Sequence, residues 1–232
     1  MENWYKKQIN LKQTKPSLLL HICCAPDLVV PLLDLKKYFK LYLFWYNPNI
    51  QPYSEYQKRY KEYIKLLNLE SWDYCLVTSS WKIVSSFDDE IYNKYDYEEF
   101  YNKLVEYAYK LGYNNKNRNE LLKEFSQMEE KNSLRCDICY YMRLLEAGFM
   151  AKKLNIDYFT TTLLISPKKS VEKLDKYWKI VANQLSVKYL TFNFRLNDGF
   201  KRAAEYTKKN NIRRQNYCWC AWTIPKRNLI IN

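Results

Sequence analysis

The feature that most constrains the fold is an alternation of apolar, β-rich runs with helical stretches along most of the chain. The runs that predict strands are SLLLHI (17–22), LYLFWY (41–46), WDYCLV (72–77), DYFTTTLL (157–164) and YLTFNF (189–194). The stretches between them predict helices at 27–38, 53–68, 96–111, 119–130, 137–154, 169–184 and 198–209. Such alternation is typical of a parallel sheet with helices on both faces.

The 232 residues suit a single α/β domain spanning 1–232. Residues 78–135 interrupt the alternation with charged, tyrosine-rich helical patterns and no convincing strand. We therefore predict a helical insertion at the rim of the sheet. The chain has no run of ~20 apolar residues, and its first residues lack the apolar segment of a signal peptide. We expect a cytoplasmic protein that does not associate with a membrane.

The first predicted strand ends in an unusual sequence, HICCAPD (21–27). In doubly wound sheets, ligands bind beyond the carboxyl ends of the strands. Nucleotide-binding proteins of this architecture carry glycines at that turn, so that backbone N–H groups can approach phosphate. This chain has only 3 glycines and places Cys23 and Cys24 there instead. The architecture fits a nucleotide-binding protein, but thiols have replaced the phosphate loop.

Six of the seven cysteines form three close pairs, which are Cys23 with Cys24, Cys136 with Cys139, and Cys218 with Cys220. Thiols stay reduced in the cytoplasm, so grouped cysteines there favour metal binding or redox chemistry over structural disulfides. Cys75 lies within a predicted strand, where we expect a small buried hydrophobic residue.

The first two pairs adjoin predicted helix starts, where the helix dipole favours a thiolate. We expect Cys136 and Cys139 to lie at or before the first turn of their helix. Four thiolates from two helix N-termini suit an iron-sulfur cluster or a tetrahedral zinc ion. Adjacent cysteines favour the cluster, since a cubane accepts neighbouring thiolates at separate irons; structural zinc and dithiol chemistry are the alternatives.

The third cysteine pair and two residues near the first pair have open roles. Cys218 and Cys220 are suited to ligate another metal or to cycle between dithiol and disulfide. Asp27 follows Cys23 by four residues on one helical face, where it serves as an oxygen ligand, a proton donor or a simple helix-start carboxylate. His21 is the single histidine of the chain. A hydrogen-bonded core residue is the more common role at such a position.

The formal net charge of +13 predicts a polyanionic partner. Basic residues cluster in KRAAEYTKKNNIRRQNYCWC, which leads directly to the third cysteine pair. From this stretch we predict nucleic acid contacts by Lys208, Lys209, Arg213 and Arg214.

Taken together, five motifs resemble the QueH family of epoxyqueuosine reductases over residues 17–222. They are HICCAPD (21–27), YNPNIQPYSEYQKR (46–59), RCDICYYMRL (135–144), TTLLISPKK (161–169) and RRQNYCWC (213–220). The resemblance implies a three-layer parallel sheet like that of the nucleotide-binding α-hydrolase/PP-loop (HUP-like) group. It also implies a reaction, the two-electron reduction of an epoxide on the wobble base of a tRNA to an alkene with loss of water.

The same resemblance implies the site residues. It assigns a 4Fe-4S cluster to Cys23, Cys24, Cys136 and Cys139. It places Cys218 and Cys220 beside the cluster as a redox pair, or with Asp27 as ligands of a second iron. Many family members have a third cysteine where Asp27 stands and a glycine where Trp219 stands. The partners expected are a tRNA carrying epoxyqueuosine and an unidentified electron donor.

Two other functions remain as alternatives to this reductase. One is a cluster-dependent tRNA sulfurtransferase of the same fold, which would need a persulfide donor. The other is a zinc-stabilised RNA-binding module without catalysis. The content of iron and zinc separates the zinc-stabilised module from the reductase, and a need for a persulfide donor identifies the sulfurtransferase.

Overall fold

The computed structural model describes residues 15–69, 74–78, 83–84, 97–127, 133–215 and 218. Its strands are β1 (Ser17–Ile22), β2 (Lys40–Trp45), β3 (Tyr74–Val77), β4 (Ile83–Val84) and β5 (Tyr158–Thr161). Its helices are α1 (Ala25–Leu35), α2 (Tyr53–Leu67), α3 (Tyr97–Lys110), α4 (Arg118–Gln127), α5 (Leu134–Lys153), α6 (Val171–Leu185) and α7 (Gly199–Lys209). A 3₁₀ turn at Thr162–Ile165 follows β5. Among these described residues, no helix has the length and apolar character that crossing a membrane requires.

The sheet has the order β4-β3-β2-β1-β5. Strands β3, β2, β1 and β5 are parallel, and β4 pairs with β3 in the antiparallel direction. The strand β1 lies between β2 and β5, and every residue from Leu18 to Ile22 is buried. Successive side chains of a strand point to opposite faces, so helices must cover the sheet on both sides. The predicted α/β class and three-layer parallel sheet are confirmed.

The helices pack in two groups. Helix α1 contacts α2 and α7, while α5 contacts α3 and α6. Both α1 and α5 also contact β1. At the packing of α5 on α6, a Cβ on Gly148 would lie 2.8 Å from a methyl group of Val181, so the small residue permits the close approach of these helices.

Three sequence expectations differ from the observed elements. The predicted strand at 189–194 is reduced to one parallel bridge between Tyr189 and Phe159. The predicted strand at 157–164 ends at Thr161, because its side chain accepts a hydrogen bond from the Leu163 N–H and caps a 3₁₀ turn. Residues 78–135 contain β4 as well as helices, so the expectation of no strand there is wrong. Two residues on a sheet edge are too few to produce a detectable alternation.

Candidate active site

The carboxyl end of β1 brings its two cysteines into contact with Asp27. Cys24 is the N-cap of α1, and Asp27 lies in the first turn of that helix. The Sγ atoms of Cys23 and Cys24 are 3.9 Å apart, and Cys23 Sγ lies 3.1 Å from Asp27 Oδ2. One ligand atom from each of the three residues lies within 4.8 Å of the others. This spacing makes the group a candidate metal site.

Thr162, in the 3₁₀ turn that follows β5, forms a hydrogen bond with the backbone of Cys23. Its Oγ1 accepts a hydrogen bond from the Cys23 N–H at 3.0 Å and lies 3.1 Å from Cys23 Sγ, to which the hydroxyl can donate. Both residues are buried. Outer-shell hydrogen bonds of this kind orient metal ligands and tune their basicity.

The second cysteine pair lies on α5, and Cys218 joins it. Helix α5 begins at Leu134, so Cys136 and Cys139 lie within its first two turns. The expectation that both lie at or before the first turn is therefore wrong for Cys139. Cys136, Cys139 and Cys218 line a cleft with about 320 Å³ of open space, together with Phe100, Leu104, Arg135, Tyr140 and Lys169. Cys220 lies outside the described residues.

A buried guanidinium connects the cysteines of these separate segments. Burial alone would lower the pKa of Arg143, but the pKa is raised by the charges that Cys139, Cys23 and Cys218 carry as thiolates. Residues Cys136, Cys139 and Arg143 are spaced i, i+3 and i+7 along α5, so they share one face of the helix. Sequence reasoning missed Arg143, although this spacing identifies it.

Asn47, which follows β2, holds Arg143 in place, and the His21 ring lies beside them. Asn47 Oδ1 accepts a hydrogen bond from Arg143 Nη2 at 2.7 Å, while Asn47 Nδ2 donates to Ile22 O at 2.8 Å. His21 Nε2 lies 3.0 Å from Tyr46 O and 3.4 Å from Arg143 Nε. The shorter contact to a carbonyl assigns the proton to Nε2. Sequence reasoning also missed Asn47, which lies in the YNPN motif.

His21 is a core residue with both ring nitrogens satisfied. Its Nδ1 lies 2.9 Å from Thr161 Oγ1, which can donate to it when Nε2 carries the proton. Burial and the charge of Arg143 hold the pKa of His21 well below its ordinary value, so the ring is neutral. The expectation of a hydrogen-bonded core histidine agrees with these contacts.

Burial raises the pKa of the site's acids. It raises the pKa of Cys23 well above its ordinary value, and the neighbouring Cys24 and Asp27 raise it further. Burial also raises the pKa of Cys139 and of Asp27, although hydrogen bonds with Cys23 and Cys24 oppose the shift at Asp27. A metal ion must displace these protons to bind, and its charge then replaces theirs. The site is therefore better suited to metal ligation than to free thiolate chemistry.

Lys169 is a further residue that sequence reasoning missed. Its Nζ lies 3.5 Å from Cys218 Sγ and above the ring of Tyr140, 5.8 Å from the centroid. The Cys218 thiolate raises the pKa of Lys169 despite its burial. The loop that carries Lys169 is held by Arg195, whose Nη2 donates to the carbonyl oxygens of Ser166 and Lys169. The Lys169 ammonium group is thereby held beside Cys218.

The basic stretch divides into exposed and internally paired residues. Lys208 and Lys209 are exposed at the end of α7. Arg213 forms a bidentate ion pair with Glu55. Arg214 lies over the ring of Phe200, and its charge is among those that oppose the rise in the pKa of Asp27. Contact of these four residues with nucleic acid stays a prediction, and Lys208 and Lys209 are the most accessible of them.

Cys75 lies within β3 and pairs in register with Tyr42 of β2. It is partly exposed, so the expectation that it is buried is wrong in degree. Among the described residues, the short edge strand β4 pairs with Leu76 and Val77.

The fold and the site define a class: an α/β protein of nucleotide-binding architecture that presents thiols and a buried guanidinium where a phosphate loop would lie. A family model described as epoxyqueuosine reductase QueH matches residues 18–107 and 75–226. The chain belongs to this family, and it is an oxidoreductase.

Individual relatives match along nearly the whole of this chain. The epoxyqueuosine reductase QueH of Thermotoga maritima is 29% identical over 91% of this chain and 92% of its own length. That of Staphylococcus epidermidis is 31% identical over 93% of this chain and 79% of its own length. That of Streptococcus pyogenes is 28% identical over 97% of this chain and 75% of its own length.

Thr162→Val tests the support of Cys23. The variant leaves a buried Cys23 N–H without its acceptor, so we expect a loss of about 1–3 kcal/mol in the free energy of unfolding. It also removes the hydroxyl beside Cys23 Sγ, and we expect an affinity for cobalt(II) about tenfold lower. Chemical denaturation and an anaerobic cobalt titration measure the two effects.

Thr160→Val is the matched control, because Thr160 is equally buried and its hydroxyl donates to Leu190 O. It should lower stability without changing cobalt affinity. Equal cobalt affinities in the two variants would contradict a role of Thr162 at the metal site.

Proposed function

We propose that this protein reduces epoxyqueuosine to queuosine at the wobble base of a tRNA, using a 4Fe-4S cluster. The observation that carries this proposal is the group formed by Cys23, Cys24 and Asp27 at the end of β1, whose ligand atoms lie within 4.8 Å of one another. Relatives along almost the whole chain bear the name epoxyqueuosine reductase. The +13 net charge suits a polyanionic substrate such as tRNA.

Cys23, Cys24, Cys136 and Cys139 would hold the cluster. Thiolates are the usual ligands of iron-sulfur clusters. Cys24 and Cys136 lie at helix N-termini, where the helix dipole favours negative charge. Arg143 adds a full positive charge beside Cys139, which offsets part of the charge that four thiolates bring into a buried site. The donor set therefore fits the group.

The reaction removes one oxygen atom from the substrate. Two electrons and two protons convert the epoxide to an alkene and release water. When bound, the cluster supplies low-potential electrons one at a time. The protein must bind the base, exclude water and provide a group that accepts the departing oxygen.

Asp27 is our proposed group at the departing oxygen. Its carboxyl lies beside Cys23, and burial raises its pKa, so Asp27 can retain a proton for transfer. The alternative role is an oxygen ligand of a second iron, shared with Cys218 and Cys220. Those two cysteines act in our proposal either as such ligands or as a redox pair.

The cleft beside Cys136 and Cys139 offers the surfaces that a modified base needs. Phe100, Leu104 and Tyr140 contribute apolar and aromatic surface, while Lys169 contributes a cation. Aromatic side chains stack on unpaired bases, which is how RNA-binding proteins commonly hold a base out of its stack. We assign this cleft to the modified base.

Anaerobic isolation followed by an iron count tests the proposal. We expect iron and sulfide in the wild-type protein, and conversion of epoxyqueuosine in tRNA with loss of the mass of one oxygen atom. Cys24→Ala and Cys136→Ala should lose the cluster iron, since each removes a ligand. Absorbance spectra and metal analysis measure the result.

Cys75→Ala is the control, because Cys75 lies within β3 and is not proposed as a ligand. It should retain iron and activity. A colourless protein containing only zinc would support the non-catalytic RNA-binding module, and transfer of sulfur to tRNA would support the sulfurtransferase.

Arg143→Met tests the role of the buried guanidinium. Removing a positive charge beside the thiolates stabilises the oxidised cluster relative to the reduced one. We expect a reduction potential lower by roughly 60 mV, a tenfold change in a one-electron equilibrium. Arg143→Lys should retain most of the wild-type potential, as measured by anaerobic redox titration. An unchanged potential in a folded, iron-loaded Arg143→Met variant would contradict this role.

Lys208→Glu combined with Lys209→Glu tests the basic stretch. If these lysines contact tRNA phosphates, affinity should fall and the salt dependence should decrease by about one unit of slope per lost contact. The matched control is Lys152→Glu with Lys153→Glu at the far end of α5 from Cys136. Equal tRNA affinities of the two double variants across a salt series would argue against contact at Lys208 and Lys209.

A further inference from the structure

Residues 211–213, which follow α7, form hydrogen bonds with one face of α2. Lys65 Nζ donates to Asn211 O at 2.6 Å. The Arg213 N–H donates to Glu62 Oε2 at 2.9 Å. The Arg213 guanidinium forms two hydrogen bonds with the Glu55 carboxylate, at 2.9 and 3.0 Å. Positions 55, 62 and 65 follow helical spacing, so one face of α2 makes all these contacts.

Glu55 is the most buried partner in this set. It is 2% exposed, and it also accepts a hydrogen bond from Arg59 Nε at 2.9 Å. A buried carboxylate requires positively charged or hydrogen-bonding partners, and bidentate pairing with a guanidinium is the strongest common form. The Arg213 side chain is 40% exposed, so solvent weakens the pair from that side. Glu55 is thus the buried member of the ion pair, and Arg213 is the more exposed member.

The chain from Arg213 to Cys218 connects two clefts that are lined by cysteines of the site. Arg213 and Gln215 line a small cleft with Cys24, Arg59 and Glu62. Five residues after Arg213, Cys218 lines the other cleft with Cys136 and Cys139. Five extended residues span at most about 18 Å, so the position of Arg213 restricts the region that Cys218 can reach.

We propose that Glu55 is a positioning residue for Cys218: by holding Arg213, it keeps the C-terminal thiol beside Cys136, Cys139 and Lys169. The inference rests on the function proposed above, because it gives Cys218 its place in that site. It also explains why the YNPNIQPYSEYQKR and RRQNYCWC motifs occur in one chain, since Glu55 belongs to the first and Arg213 to the second.

The proposal differs from direct tRNA contact by Arg213. If Arg213 binds a phosphate, then Arg213→Gln should weaken tRNA binding, while Glu55→Gln should leave it unchanged or strengthen it. If Glu55 and Arg213 form one anchor, both variants should have the same defect at Cys218. The two substitutions therefore separate the readings.

The experiment measures alkylation of individual cysteines by iodoacetamide in protein isolated anaerobically with its bound metal. We expect Glu55→Gln and Arg213→Gln each to raise the alkylation rate of Cys218 about tenfold, because the freed segment opens more often. The double variant should be no faster than either single variant, since both remove the same contact. The alkylation rate of Cys75 reports on a general loss of stability, and this rate should not change.

Glu106→Gln is the matched control, since it breaks an exposed ion pair with Lys110 on α3. It should leave the Cys218 rate at the wild-type value. A wild-type Cys218 rate in folded Glu55→Gln protein would overturn the proposal, as would equal acceleration of Cys218 and Cys75. A loss of tRNA affinity in Arg213→Gln without faster Cys218 alkylation would also overturn it.

Failure of the reductase assignment would be visible separately. It would appear in the wild-type protein as absence of iron or of epoxide reduction. The alkylation rates of the variants depend on neither result.

Discussion

The interaction on which the site depends is the burial of one guanidinium among thiols. Arg143 extends from α5 toward the carboxyl ends of β1 and β2, and Asn47 binds both its Nη2 and the backbone at Ile22. A buried cation is tolerated only with compensating charge or hydrogen bonds. Thiolates from several segments supply that compensation, and Arg143 reduces their mutual repulsion. The helix, the strand ends and the cysteines are therefore electrostatically interdependent.

The same architecture that places phosphate at a strand end in nucleotide-binding proteins here places sulfur. Cys24 occupies the N-cap position of α1, and Cys136 lies in the first turn of α5. Helix N-termini favour anions of either kind, because their unpaired N–H groups carry partial positive charge. Replacing a glycine-rich turn with cysteines thus changes the ligand without changing the scaffold. The parallel sheet keeps the two helix starts at one edge.

Positive charge is distributed through the site at several depths. Arg143 is buried, Lys169 lies beside Cys218, and Lys208 and Lys209 are exposed. Exposed charges are screened by salt and suit long-range attraction of a polyanion, whereas buried charges act on the groups beside them. Arg213 belongs to a third category, since its contact with Glu55 connects two parts of the chain. A net charge read from composition does not separate these roles.

The sequence by itself determined the parallel α/β class, the approximate bounds of most helices and the position of Cys23 and Cys24 at the carboxyl end of the first strand. These features follow from local periodicity and spacing, which a chain expresses without reference to distant residues. Only the tertiary structure decided that Arg143 lies among the thiols, that Thr162 supports Cys23 and that Glu55 binds Arg213. The contacts of Thr162 with Cys23 and of Glu55 with Arg213 each join residues more than 100 positions apart, and Arg143 is 120 positions from Cys23. Side-chain burial and pairing across such separations are properties of the packed fold, so they do not appear in any local pattern.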